Sequence, residues 1–134
     1  MIVADTNLIA YFLIEGEFTT KAEAVYQQDT DWIAPYLWRS EFCNILALYL
    51  RQNLISLEEA VEIMDRSQLL LINKEWEVDL DLVLKLTSVS NLTAYDCEYV
   101  ALANKLNIPL VTSDLQIIKA FPKVAISLTD FSKL

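Results

Sequence analysis

Short apolar runs alternate with longer helical stretches from one end of this chain to the other. The runs that predict strands lie at 2–4, 31–34, 69–72, 110–112 and 124–127. This alternation is typical of an α/β fold, in which helices cross over between the strands of a parallel sheet. The sequence therefore predicts an α/β fold with a central parallel sheet.

Seven helical stretches accompany the predicted strands. The clearest covers 35–51 and begins at Pro35, since proline is favoured in the first turn of a helix. The others are predicted over 8–14, 20–28, 57–68, 78–89, 94–106 and 115–121. Because no linker, repeat or low-complexity segment interrupts the 134 residues, we expect a single domain over 1–134.

Composition limits the environment in which this chain works. Hydrophobic residues make up 54% of it, which argues against disorder. No apolar stretch reaches the roughly 18 residues of a membrane span, and the N-terminus lacks the basic start and cleavage site of a signal peptide. We therefore expect a cytoplasmic protein with no membrane contact, in which Cys43 and Cys97 are small buried residues and not a disulfide.

Histidine is absent and glycine occurs only once, which limits the kinds of catalytic and nucleotide-binding site that the chain can form. Without histidine the chain has no Ser-His-Asp or Cys-His triad and no imidazole zinc site. A single glycine, Gly16, excludes the glycine-rich loops that bind nucleotide phosphates. Carboxylates, hydroxyls, lysines and metal ions remain.

The net charge of −9 argues at first against a nucleic-acid ligand, because polyanion binders are usually basic. That objection weakens if divalent cations bind in an acidic cluster, since the local potential matters more than the sum. The acidity also suits a basic protein partner.

Two aspartates follow predicted strands, Asp5 after 2–4 and Asp114 after 110–112. Open parallel sheets bind ligands beyond the carboxyl ends of their strands, where the strand order reverses. If the first and fourth strands are neighbours there, the two carboxylates lie a few ångströms apart. Their repulsion, roughly 4 kcal/mol at 4 Å, predicts a positive group between them.

Two further acids lie on apolar helix stripes. Glu41 shares its face with Trp38 and Ile45, and Asn44 one turn later is expected to point inward as well. Asp96 lies on the inward face of its helix, three residues after Thr93. Each acid has an ordinary explanation, a helix cap for the aspartates and an exposed carboxylate for Glu41. One sheet geometry nevertheless gathers all four in one cleft, where they would need a divalent metal.

The four acids occur in four motifs, at 3–7, 41–44, 95–103 and 110–114. In this order and spacing the whole chain resembles the PIN domain nucleases, and among them most closely the VapC-type toxins of toxin-antitoxin pairs. The resemblance implies a three-layer α/β/α fold with a central parallel sheet of four to five strands.

The resemblance also implies an endoribonuclease that hydrolyses RNA phosphodiester bonds with Mg²⁺ or Mn²⁺, the ions suited to an all-oxygen site. Asp5, Asp96 and Asp114 would hold the metal, and Glu41 would complete the acidic wall. Polar residues beside these acids would fix the carboxylates or a bound water. They are Thr6, Asn7, Asn44 and Ser113; caps and turns explain Thr6, Asn7 and Ser113 equally well.

The implied partners are RNA, a second copy of the chain and a cognate antitoxin. Apolar residues that could form such contacts, or pack in the core instead, are Tyr11, Phe12, Leu46, Tyr49 and Leu50. Two alternatives stay open. One is a noncatalytic PIN-fold module for protein contacts or regulation. The other is a phosphotransfer domain that uses Asp5, although Asn7 stands where a phosphatase has its second aspartate.

Overall fold

Five short strands pair in parallel in the computed structural model, which describes residues 1–134. They are β1 (Ile2–Ala4), β2 (Trp32–Pro35), β3 (Glu75–Trp76), β4 (Leu110–Val111) and β5 (Ala125–Ile126). The sheet order is β3-β2-β1-β4-β5, and every pairing is parallel. The predicted α/β/α class with a parallel sheet is confirmed.

Eight helices flank this sheet. They are α1 (Thr6–Leu13), α2 (Thr19–Gln28), α3 (Trp38–Arg51), α4 (Leu57–Leu70), α5 (Leu80–Ser88), α6 (Ala94–Leu106), α7 (Leu115–Ala120) and α8 (Leu128–Ser132). Capping residues define two of the helix ends: Ser56 and Glu59 form a capping box at the start of α4, and Asn107 ends α6 with its backbone in the left-handed conformation. None of the eight combines the length and the apolar character that crossing a bilayer requires.

The strand order reverses between β1 and β4. From β1 the chain builds β2 and β3 on one side, then returns to place β4 and β5 on the other. Val3 is paired with Leu110 and Ala4 with Val111. The first and fourth strands are therefore neighbours, which was the condition for bringing Asp5 and Asp114 together, and the residues after both strands emerge at the same edge of the sheet.

Three local predictions are wrong, and one helix was not predicted. The run 69–72 is not a buried strand: it ends α4, with Leu69 and Ile72 exposed, and the strand there is Glu75–Trp76. Pro35 closes β2 instead of opening a helix. The short helix α8, capped by Ser127, was not predicted. Cys97 is buried as expected, but Cys43 is exposed.

The hydrophobic core surrounds the strand that ends at the acidic edge of the sheet. One cluster of 30 buried residues includes Trp32 and Trp38 and contains all three residues of β1. Because β1 lies at the centre of the sheet with both faces covered, the residue that follows it has little freedom to move. That residue is Asp5.

Candidate active site

Asp5 links the end of β1 to the start of α1. Its Oδ1 accepts a hydrogen bond from the Thr6 backbone N–H at 2.8 Å, and its Oδ2 accepts one from the Thr112 hydroxyl at 2.5 Å. Asp5 is only 9% exposed. Burial raises its pKa to about 6, and the nearby Glu41 and Asp96 carboxylates push in the same direction, whereas its hydrogen bonds oppose the shift.

Asp114 follows β4 and caps α7. Its Oδ1 accepts hydrogen bonds from the backbone N–H groups of Gln116 at 2.8 Å and Ile117 at 3.3 Å. The Thr112 hydroxyl accepts the Asp114 backbone N–H at 3.0 Å while it donates to Asp5. Fully buried Thr112 thus joins the two strand-end aspartates. It was not among the predicted site residues, although a hydroxyl two residues before Asp114 was a signal for it.

Glu41, in the first turn of α3, is held by two hydroxyl groups. Its Oε1 accepts hydrogen bonds from the Thr6 hydroxyl at 2.9 Å and the Tyr99 hydroxyl at 2.6 Å, and these two hydroxyls also contact each other. Tyr99 lies on α6 and is 2% exposed. Burial and the Glu41 charge both raise the pKa of Tyr99, so its O–H stays a donor. Sequence reasoning treated Tyr99 only as an apolar neighbour of Asp96 and missed this contact.

Asp96 lies in the first turn of α6, where its backbone N–H donates to the Thr93 hydroxyl at 3.1 Å. Burial raises the pKa of this half-buried carboxyl, and the Asp114 carboxylate adds to the rise. Glu98, two residues on, also has a raised pKa because of burial and the charge of Glu41. It is a fifth acid that the sequence did not single out.

The structure places the four acids at one edge of the sheet, but their carboxylates do not converge on a single point. Electrostatic repulsion links Glu41 to Asp5, Asp5 to Asp96, and Asp96 to Asp114. No three acidic, cysteine or histidine side chains lie close enough to hold a metal together in this conformation. We call these four carboxylates the acidic site.

No basic side chain neutralises the acidic site. The ion pairs of the chain lie elsewhere and join Arg39 to Glu75, Lys74 to Asp31, Lys105 to Asp79, and the N-terminal amine to Asp29. Without a cation nearby, each carboxylate makes ionisation of its neighbours less favourable. This repulsion adds to the effect of burial in raising the pKa of Asp5 and of Asp96.

The other predicted site residues divide into two groups. Thr6 contacts Glu41 directly, and Ser113 lies 3.3 Å from the Tyr11 hydroxyl without touching a carboxylate. Asn7 and Asn44 are exposed. The prediction that Asn44 points inward is wrong, because the buried stripe of α3 runs through Trp38, Phe42 and Leu46 instead.

The donor chemistry of the acidic site fits a divalent cation. All candidate ligands are carboxylate oxygens, which magnesium and manganese prefer. Glu41 uses only Oε1 and Asp114 only Oδ1 in hydrogen bonds. Since no buried side-chain oxygen lacks a partner, the second oxygen of each faces solvent and is free to act as a ligand. Ligation of one ion by three of the acids would require them to move closer together.

Comparisons with known proteins agree with this architecture. The family model of the PIN domain matches residues 2–124. The fold is similar to PAE2754 from Pyrobaculum aerophilum, with a TM-score of 0.76 and 18% identity over 98% of this chain and 86% of that one. It is equally similar to FitAcB from Neisseria gonorrhoeae, with a TM-score of 0.76 and 17% identity over 96% of this chain and 99% of that one. Among curated proteins no significant match is found.

Proposed function

The chain belongs to the PIN domain family, and from this we propose that it is a metal-dependent endoribonuclease with the acidic site as its active site. PIN domains are generally nucleases. The observation that carries the proposal is the gathering of Asp5, Glu41, Asp96 and Asp114 at the strand-order reversal, with no basic partner. We infer that the family's four acidic positions are intact in this chain.

Asp5, Asp96 and Asp114 are the proposed metal ligands. When bound there, Mg²⁺ or Mn²⁺ supplies Lewis-acid chemistry, lowering the pKa of water and offsetting charge on the phosphate. Asp5 contributes a carboxylate that is costly to ionise without a cation, since its pKa is about 6. Cation binding and ionisation of Asp5 therefore favour each other.

Glu41 has a different proposed role. Thr6 and Tyr99 fix one of its oxygens, which leaves Oε2 free to orient the attacking water and accept its proton. Without histidine in the chain, a carboxylate is the available base. Thr112 positions Asp5 and Asp114, because its hydroxyl bonds to both residues.

The biological setting is the toxin component of a toxin-antitoxin pair, acting in the cytoplasm as a single-domain homodimer. This part of the proposal rests on the sequence resemblance to VapC-type toxins. Exposed leucine and valine side chains support self-association or antitoxin binding, because they place apolar surface on and before α4. They are Leu54, Leu57, Val61 and Leu69. Of the apolar residues proposed from the sequence, Leu46 is buried and belongs to the core.

Incubation of the purified protein with mixed RNA and Mg²⁺ or Mn²⁺ tests the enzymatic proposal. We expect cleavage that a chelator abolishes and that Asp5→Asn and Asp96→Asn lose. Asp65→Asn is the matched control, because Asp65 is an exposed acid on α4. Equal cleavage by the wild type and the two site variants would contradict the site. No cleavage would favour a noncatalytic module, and a trapped acyl phosphate on Asp5 would favour phosphotransfer.

A further inference from the structure

A cavity of about 410 Å³ lies beside the acidic site, beyond the carboxyl ends of β4 and β5. Its wall includes Tyr11 of α1, Phe18 and Lys21 at the start of α2, and Ser113 and Leu115, which flank Asp114. The first residues of α8 close the remaining side. The volume falls within the roughly 300–1,000 Å³ of ordinary small-ligand sites. We call it the aromatic cavity.

Two aromatic rings form one wall of the aromatic cavity. The ring centroids of Tyr11 and Phe18 lie 4.8 Å apart at an interplanar angle of 40°. Phe18 is 37% exposed and Leu115 is 77% exposed, so this apolar surface is open to a ligand. Aromatic walls of this kind bind unpaired nucleobases by stacking, with little dependence on which base is present.

The charge around the aromatic cavity is opposite to that of the acidic site. No aspartate or glutamate lines it, and Lys21 is its one basic residue. The Lys21 Nζ lies 5.5 Å from the centre of the Phe18 ring and takes part in no ion pair. In a chain of net charge −9, this places a cation without a carboxylate partner where a polyanion must approach the acidic site.

The cavity also carries hydroxyl groups that can exchange partners. The Tyr11 and Ser113 hydroxyls lie 3.3 Å apart, a long hydrogen bond that a ligand can replace at small cost. Each hydroxyl can donate or accept, so the pair suits the polar edge of any base.

We propose that the aromatic cavity binds one unpaired base of a single-stranded RNA, with Lys21 on an adjacent phosphate. Three features support this: the exposed aromatic surface, a lysine without an ion-pair partner, and the position of the cavity beside Asp114. The proposal rests on the nuclease function, because the wall residues Ser113 and Leu115 are the chain neighbours of Asp114 and the bound base would guide the adjacent phosphodiester to the carboxylates. A base stacked in a duplex cannot enter, so the cavity selects single strands.

Binding of a short fluorescent RNA to the full-length protein, with a chelator present to prevent cleavage, tests this proposal. Phe18→Ala should weaken binding about 10-fold, whereas Phe18→Trp, which keeps a stacking surface, should preserve it. Lys21→Ala should weaken binding and reduce the slope of log affinity against log salt by about 0.7. Lys123→Ala is the matched control, because Lys123 is exposed beside the opposite ends of β4 and β5. The same RNA as a duplex should bind less tightly and not respond to Phe18→Ala.

Unchanged RNA binding in both Phe18→Ala and Lys21→Ala overturns the base site. If sedimentation shows that Phe18→Ala alters only the oligomeric state, the cavity is a contact between copies of the chain, and the proposal fails. Melting curves establish that each variant is folded. If Phe18→Ala does not fold, the binding of Lys21→Ala and Phe18→Trp tests the base site instead.

Cleavage kinetics separate the base-site proposal from the nuclease proposal. Metal-dependent cleavage with the KM unchanged in both variants contradicts only the base site, and the predicted binding pattern without any cleavage contradicts only the nuclease.

Discussion

The two halves of the acidic site are held in different ways. Asp5 and Asp114 follow neighbouring strands, cap the helices that come next, and share the buried Thr112 hydroxyl. Glu41 and Asp96 project from helices, and Glu41 is fixed by the side chains of Thr6 and Tyr99. Backbone topology thus places the strand-end half, with Thr112 joining its two residues, while side-chain contacts fix Glu41 in the helix half. The strand-end half should therefore control stability and metal affinity together. In the helix half, Asp96 should contribute to metal affinity and Glu41 mainly to turnover.

The largest expected effect concerns Asp5 in the metal-free protein. Because its folded pKa of about 6 exceeds the ordinary 3.8, its contribution to stability is present below pH 3.8 and is lost as the pH rises through 6. The shift corresponds to at most about 3 kcal/mol. Between pH 4 and pH 7.5, with a chelator present, Asp5→Asn should gain stability relative to the wild type by up to that amount in denaturant titrations. A difference that does not change with pH would contradict the raised pKa of the buried Asp5 carboxyl.

Removal of the Thr112 hydroxyl tests whether the strand-end half is one unit. Thr112→Val leaves the Asp5 Oδ2 and the Asp114 N–H without their partner, which should destabilise the protein by about 1–3 kcal/mol. Metal-dependent cleavage should fall about 10- to 100-fold, as for other residues that position ligands. Thr112→Ser, which keeps the hydroxyl, is the matched control. Loss of stability without loss of activity would show that Thr112 only supports the fold.

Tyr99→Phe breaks the helix half at one hydrogen bond while it keeps the buried ring. Glu41 then loses one of the two donors to its Oε1, and a stability loss of about 1 kcal/mol is expected. If Glu41 orients water, kcat should fall about 10-fold with little change in KM. A rise in KM at constant kcat would assign Tyr99 to substrate binding and would erase the contrast between the two halves.

The smallest effect is expected at Asn44, which is exposed. Asn44→Ala should change the free energy of unfolding by less than about 0.5 kcal/mol, the usual range for surface positions. Cleavage should change less than about 2-fold. A large loss of activity with unchanged stability would indicate a substrate contact at α3 and would extend the helix half beyond Glu41.

Sequence reasoning reached the strand-end half because strand ends are local features. A short apolar run followed by Asp5 or Asp114 predicts a carboxylate at the sheet edge, and parallel topology then makes the two edges coincide. The helix half was harder to predict from the sequence. Periodicity predicted which faces of α3 and α6 point inward, but the predicted face of α3 was rotated by about one residue. Asn44 was therefore expected to be buried and is exposed.

Side-chain hydrogen bonds between residues far apart in the sequence could not be predicted. The Tyr99 to Glu41 hydrogen bond joins residues 58 positions apart, and an inward tyrosine on an apolar helix face reads as core packing. The error at 69–72 has a different cause. An apolar run of four residues fits a buried strand or a helix end equally well, and here it ends α4, with Leu69 and Ile72 on the surface.

Titration of Mn²⁺ into the protein at pH 7.5, followed by electron paramagnetic resonance, tests the central claim that the acids form one metal site. We expect the wild type to bind Mn²⁺, and Asp5→Asn and Asp96→Asn each to weaken binding by more than the roughly 10- to 100-fold typical of outer partners. The Asp65→Asn control should bind like the wild type, and wild-type affinity should fall as the pH drops below about 6, where Asp5 takes up its proton. Equal Mn²⁺ affinity in the wild type and both site variants would contradict the account.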